Sequence, residues 1–413
     1  MGAYLTKLDG LAPGARWRQA RTWLLNEPLP FFAELRAERP VLATPEVTLA
    51  TSYADCSLIL RRHLTFQVDL YKPKQGEYWM AQDETPVHVR EKAIMRTLLD
   101  REQLPAMRAY IGETAAKRLA AGKGRIDATH GLARAVALSL VEDWFGFEDA
   151  DRQKLFEWSY WNQQDAFHNQ PFDHRPDAAA VIDKRQKAGF MMGLYLARLV
   201  AKKTLEVKLG AGGDKPVARL LRLWFSGGIS PEFDIKRVIF NVGGLLIGAV
   251  ETTNHCVVNA LAEIMKRPDV LARAKAAALD PDPGKFDGFA LEALRFNPAF
   301  PYFFRTAHRD VELSGGGPHA TIVANGTTLL AVTQSAMQDG HVYPHPAVFD
   351  ETRAQGDGFT FGQGLHECLG KAIGHALVIE TVRQVLRLKN VEAAAPIVWK
   401  GGVPEQWQLK WVA

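Results

Sequence analysis

Residues 361–370 read FGQGLHECLG: Phe361-Gly362-Gln363-Gly364-Leu365-His366-Glu367-Cys368-Leu369-Gly370. The glycines at 362 and 364 permit a tight turn and close backbone approach. Cys368 then falls at the mouth of a helix expected over about 369–388, with apolar Ile373, Leu377, Val382 and Val385 on one side. A helix N-terminus favours the thiolate over the thiol, and the thiolate is the form of cysteine that binds iron. A lone cysteine is more often buried and inert, so the company Cys368 keeps decides its role.

That company resembles the haem-binding loop of the cytochrome P450 family, FGxGxHxCxG, and every fixed position of the pattern is present. The resemblance implies Cys368 as the metal ligand of haem b, with Phe361, Gly362 and His366 as cofactor-binding residues beside it. In that family the thiolate pushes electron density toward the iron and favours O–O cleavage.

Two further matches lie upstream. Glu292-Ala293-Leu294-Arg295 would by itself be an ordinary helical ion pair worth a few tenths of a kcal/mol. In the family this ExxR pair locks onto an arginine that precedes the haem loop, and Arg353 in Phe349-Asp350-Glu351-Thr352-Arg353 is placed to be that third member. Gly248-Ala249-Val250-Glu251-Thr252-Thr253 resembles the oxygen-activation motif. Gly243, Gly244 and Gly248 weaken the helix, and a threonine hydroxyl can bond back one turn, so a local widening is expected there. A helix-interior threonine beside a surface glutamate is the plainer alternative, since a buried charge is costly. The resemblance implies that Glu251 and Thr252 are catalytic, Thr252 steering and Glu251 relaying protons.

Three basic positions match residues that hold the haem propionates: His366, Arg305 in Phe303-Phe304-Arg305, and His88 in Pro86-Val87-His88-Val89-Arg90-Glu91-Lys92. The family pattern in the last of these is HxxxR, whereas Lys92 stands four residues after His88. Lysine offers a point charge and no bidentate fork. Lys92, Arg90 and Arg96 therefore all stay open, with Lys92 first.

Outward from these motifs the chain reads mostly as helix. Apolar residues recur at three- and four-residue steps over 30–36, 54–63, 87–99, 104–121, 132–145, 152–163, 177–203 and 231–266. Ser230 before Pro231 is a start signal for the last of these, and its low central charge predicts passage through the core. Two short strands are expected in PVLATPEVTLATS (residues 40–52), and a small β part at 310–313, 320–323 and 327–333. The class is mainly α with a minor β part. By resemblance this is the triangular P450 fold with one long central helix, a single domain over residues 1–413.

The 413 residues are 47% hydrophobic and 23% charged, an ordinary globular balance that can bury a large core. A formal charge of +4 with scattered basic pairs is no nucleic-acid footprint. Cys56, Cys256 and Cys368 are far apart and in no CxxC pair, which argues against disulfides, zinc and iron–sulfur clusters. The first ten residues lack the apolar core of a signal peptide, and the longest apolar window, 238–250, is too short to cross a bilayer. A cytoplasmic, soluble protein without a membrane partner is expected.

The resemblance implies a haem-thiolate monooxygenase that inserts one atom of O2 into an organic substrate by hydroxylation or O-dealkylation. With no flavin or iron–sulfur motif it needs a separate ferredoxin and reductase as electron donor. Peroxide-driven or rearranging relatives typically lose the acid–alcohol pair that Glu251 and Thr252 form, and a gas-sensing haem protein would have no use for it. By resemblance the pocket draws on 66–85, 158–192 and 298–304. Tyr71, Tyr78, Trp79, Trp158, Trp161, Phe167, Phe303 and Phe304 in these stretches suit a small or medium apolar substrate, aromatic ones included. Lys72, Lys74, His168 and His174 are candidates to anchor a carboxylate, against the plainer expectation that they face water.

Overall fold

The computed structural model describes residues 2–83, 85–99, 101–354, 356 and 358–412. They divide into two compact units, Met1–Thr85 with Leu291–Cys368, and Pro86–Ala290 with Leu369–Ala413.

The first unit holds the larger sheet. Val41–Ala43 pairs antiparallel with Thr48–Ala50, which runs parallel to Thr328–Ala331. Phe303–Ala307 and then Phe66–Gln67 complete the sheet on the far side. The turn after Ala43 is where Pro45 breaks the expected pair of strands. Helix Tyr53–Arg61 starts at Ser52, whose hydroxyl caps Asp55 N–H, and buries Cys56, Ile59 and Leu60 against this sheet. Three helices precede the sheet, Ala3–Asp9, Pro13–Asn26 and Pro28–Glu38. The sequence expectation covers only part of the third. The first two begin without a side-chain cap, and the second buries Trp17, Ala20, Trp23 and Leu24 on one face.

The second unit is helical. Its axis is the 31-residue helix Ile235–Met265, buried along most of its length. It begins four residues later than Ser230-Pro231 suggests, because Asp234 supplies the cap by accepting from Arg237 N–H while Phe233 N–H closes a turn onto Ser230. The expected widening near Gly248 is not present: the helix is continuous. Wide π turns occur instead at Ala128–Ala133 and Val141–Phe145, on either side of the α-helical segment Arg134–Leu140. Helix Lys371–Leu386 packs against Leu104–Ala121, and the C-terminal hairpin of Val398–Lys400 with Val403–Gln406 closes the unit.

Helix Lys371–Leu386 also carries a pH dependence. Burial, aided by Lys371, pushes His375 from 6.5 down to about 4. The unfolded chain therefore binds this proton first, and stability falls as pH drops from 6.5 toward 4, by about 3 kcal/mol in all. Denaturant midpoints at pH 7 and pH 4.5 test this: His375→Asn is expected to flatten the slope, and an unchanged slope rules His375 out as its source.

Candidate functional site

The first unit presents Cys368 at the end of a closed loop. Cys368 N–H donates to the Phe361 carbonyl at 2.9 Å, Gly362 N–H to Phe359, and Glu367 N–H to Gly364. Gly362 and Gly364 both have φ of +71°, in the left-handed region. A Cβ on Gly364 would lie 2.5 Å from the Leu60 carbonyl oxygen, so the loop's approach to helix Tyr53–Arg61 requires glycine. Cys56 and Cys256 are buried and Cys368 is exposed. Cys56 donates to the Ala50 carbonyl, and burial pushes its thiol pKa well up.

Two basic groups accompany it. His366 lies 3.7 Å from Asp83 with its side chain only 7% exposed. Arg305 is buried on strand Phe303–Ala307, donating to the Phe304 carbonyl, with Tyr71 beside it. Among the described residues no carboxylate forms an ion pair with Arg305, and burial lowers its pKa. A guanidinium held this way has charge to spare for an anion.

The loop's support is also in this unit. Glu292, fully buried, takes both forks of Arg295 at 2.7 and 2.9 Å, and Arg353 reaches it at 3.4 Å. Arg295 also donates to the Met337, Pro346 and Val348 carbonyls, and Asp350 N–H donates to Glu292. The structure thus brings together the three residues that the sequence pattern singled out.

In the second unit His88 and Lys92 are buried one turn apart on helix Pro86–Leu98. Arg90 is tied to Glu232 at 2.6 Å, and Arg96 is exposed. Glu91, between them, is buried and held by Arg237 at 2.5 and 2.8 Å and by Asn241 at 2.7 Å, which bolts this helix to Ile235–Met265. Nothing local in the sequence marks that pairing.

On the long helix, Gly248 is exposed in an otherwise buried run, and the Thr252 hydroxyl donates to its carbonyl at 2.5 Å. Glu251 is buried and faces away from water onto Arg134, with Nε–Oε1 at 2.9 Å and Nη2–Oε2 at 2.8 Å. Arg134 also meets Glu405 at 3.5 Å and His130 Nε2 at 2.8 Å, and it lies over the rings of Phe156 and Tyr160. Tyr160 in turn donates to Glu405. Burial pushes the Glu251 carboxyl up, and Arg134 pulls it back. The one sign of Arg134 in the sequence is a single charge inside the apolar run 132–141.

The proposed pocket residues divide. Tyr71 stacks on Phe304 with centroids 4.3 Å apart, and Trp79 is fully buried. Trp158 packs on Tyr195, and Trp161 sits under Lys184. Lys72 is paired with Asp69, and His174 is exposed, as the plainer expectation has it.

In the first unit, the exposed Cys368 and the buried guanidinium of Arg305 are the residue types that an iron porphyrin with its propionates would take. Known proteins agree with that chemistry. The family model for Cytochrome P450 matches residues 288–388. The chain is 26% identical to cytochrome P450 monooxygenase PikC of Streptomyces venezuelae over 377 residues, 87% of this chain and 83% of that protein. It is 27% identical to cytochrome P450 CYP199A2 of Rhodopseudomonas palustris, over 90% and 87% of the two chains. The fold is shared with the crystal structure of CalO2, at a TM-score of 0.79 and 20% identity over 94% of this chain and 96% of that one. Mycobacterium smegmatis CYP164A2 gives the same TM-score over 97% and 100%.

Proposed function

The chain belongs to the cytochrome P450 family and is a P450 monooxygenase with haem b as its cofactor, and from that premise we propose the finer reading of its chemistry. It inserts one atom of O2 into a small or medium apolar organic substrate, aromatic ones included, by hydroxylation or O-dealkylation. A ferredoxin with its reductase supplies the electrons, in the cytoplasm. Both compact units act as one domain over residues 1–413. Among the described residues no helix is long and apolar enough to cross a membrane.

Cys368 would bind the haem iron, and His88, Lys92, Arg305 and His366 would hold the propionates, with Phe361 and Gly362 shaping the loop. Bound haem supplies the redox chemistry of oxygen activation. The protein's share is to orient substrate, exclude water and place protons. Thr252, its hydroxyl bonded back to Gly248, orients the proton path, and Glu251 is the adjacent acid.

The observation that carries the reductive reading is the exposed Gly248 and bonded-back Thr252 beside a buried acid on one continuous helix. Thr252→Ala is expected to leave electron uptake intact while product per electron falls by about a hundredfold and peroxide accumulates. Turnover with ferredoxin, reductase and NAD(P)H is compared with turnover on hydrogen peroxide. Faster turnover on peroxide, with Thr252→Ala indistinguishable from wild type, makes the enzyme a peroxygenase.

A further inference from the structure

Helix Ala178–Lys208, 31 residues long, turns Val181, Ala188, Leu196, Leu199 and Val200 into the core of the second unit. The opposite side of such a surface helix is expected to be polar. Here it is largely apolar: Phe190 is 67% exposed, Leu205 61%, Met191 45% and Leu194 44%. Asp183, Lys187, Phe190, Leu194, Ala197, Ala201, Thr204 and Lys208 follow one another on this side at alternating steps of four and three, all exposed except the half-buried Thr204. That is the a/d spacing of a coiled-coil seam, and it runs along the face turned away from the unit's own core.

The order of residues in the seam is self-complementary. A two-fold axis passing between positions 195 and 196 sets two copies of the helix antiparallel. Leu194 of one copy then faces Ala197 of the other, Phe190 faces Ala201, Lys187 faces Thr204 and Asp183 faces Lys208. Each large apolar side chain meets a small one, and the outermost acid meets a base. In a parallel pair every residue would face itself, Phe190 on Phe190 and Lys208 on Lys208, so size and charge both select the antiparallel arrangement. Asp183 is held on this face by Lys187 of its own helix at 2.8 Å. Of the other bases on the helix, Lys184 lies over the Trp161 ring, Lys202 is paired with Asp149, and Arg198 falls opposite Gly193 of the second copy.

We propose that this face is a homodimer interface, in which a second copy of the chain packs its own helix Ala178–Lys208 antiparallel across the axis between positions 195 and 196. The contact is isologous, so every favourable pair occurs twice. One pair of helices is at the low end of interface sizes, and a reversible dimer with a Kd of about 10–100 µM is expected. The interface makes no use of the monooxygenase reading and stands or falls without it.

The test is sedimentation equilibrium of the haem-loaded full chain over a concentration series, with reductant present because Cys368 is exposed. Thermal melts and the haem absorption band check that each variant is folded. Phe190→Asp puts a charge against Ala201 twice in each dimer and is expected to raise Kd about a hundredfold. Asp183→Lys sets like charges together and is expected to raise Kd about tenfold, whereas Asp183→Lys combined with Lys208→Asp restores opposite charges and is expected to return Kd to within about threefold of wild type. That rescue is specific to the antiparallel register. A wild type that stays monomeric up to about 0.5 mM overturns the proposal, as does a dimer that Phe190→Asp leaves intact or one in which the double exchange binds no better than Asp183→Lys alone. A monomer that instead partitions through Phe190 onto vesicles of phosphatidylcholine and phosphatidylglycerol overturns it in favour of a lipid contact.

Discussion

Cys368→Ala is expected to abolish the strongly red-shifted Soret band of the ferrous–CO form and, with it, all reductase-driven turnover, while leaving the fold intact. The expected separation of the two effects comes from the site. The Cys368 side chain is exposed, and a change within about 0.5 kcal/mol is expected for such a position. The loop keeps its shape because Gly362 and Gly364 hold it, and because the Cys368 backbone N–H, which alanine retains, makes the bond to Phe361. Thermal melts of the apoproteins should coincide while the spectra differ. Persistence of the red-shifted band in the variant would remove Cys368 from the role of ligand.

Arg295→Leu is expected to produce the largest loss of stability of any single change considered. It leaves the Glu292 carboxylate fully buried with the Asp350 N–H and one longer contact from Arg353, and it orphans three backbone carbonyls. Breaking a buried pair from one side costs about 3–5 kcal/mol, or roughly 5 °C in Tm for a chain of 413 residues. Arg353→Leu removes the 3.4 Å contact, a bond to the Pro344 carbonyl and a cation–π contact with Tyr343, and is expected to cost about 1 kcal/mol. Equal losses in the two variants would mean that the triad does not brace the segment before the haem loop as described.

The loop at 361–370, the Glu292–Arg295 spacing and the Glu251–Thr252 pair were legible because each is a short-range pattern whose chemistry is carried by residues within a few positions of one another. Helices with a clean apolar stripe were legible for the same reason. Helix ends were less so: Ser230-Pro231 is a good start signal, but Asp234 competes for the same helix and wins by capping Arg237 N–H. The two N-terminal helices lack side-chain caps, so no start signal marks them, although Trp17, Ala20, Trp23 and Leu24 share one face of the second.

By itself, the order of residues determined the family resemblance, the motifs that carry it and the mainly helical class, since these follow from local spacing and residue type. Only the tertiary structure decided what Glu251 faces. Its partner Arg134 is 117 positions away, and their shared neighbour Glu405 lies on a C-terminal hairpin. The same holds for Glu91 with Arg237, 146 positions apart. Buried charges must find partners because leaving them alone in the core is too costly. Sequence shows that such a charge exists, and the packing of distant elements selects the partner that compensates it.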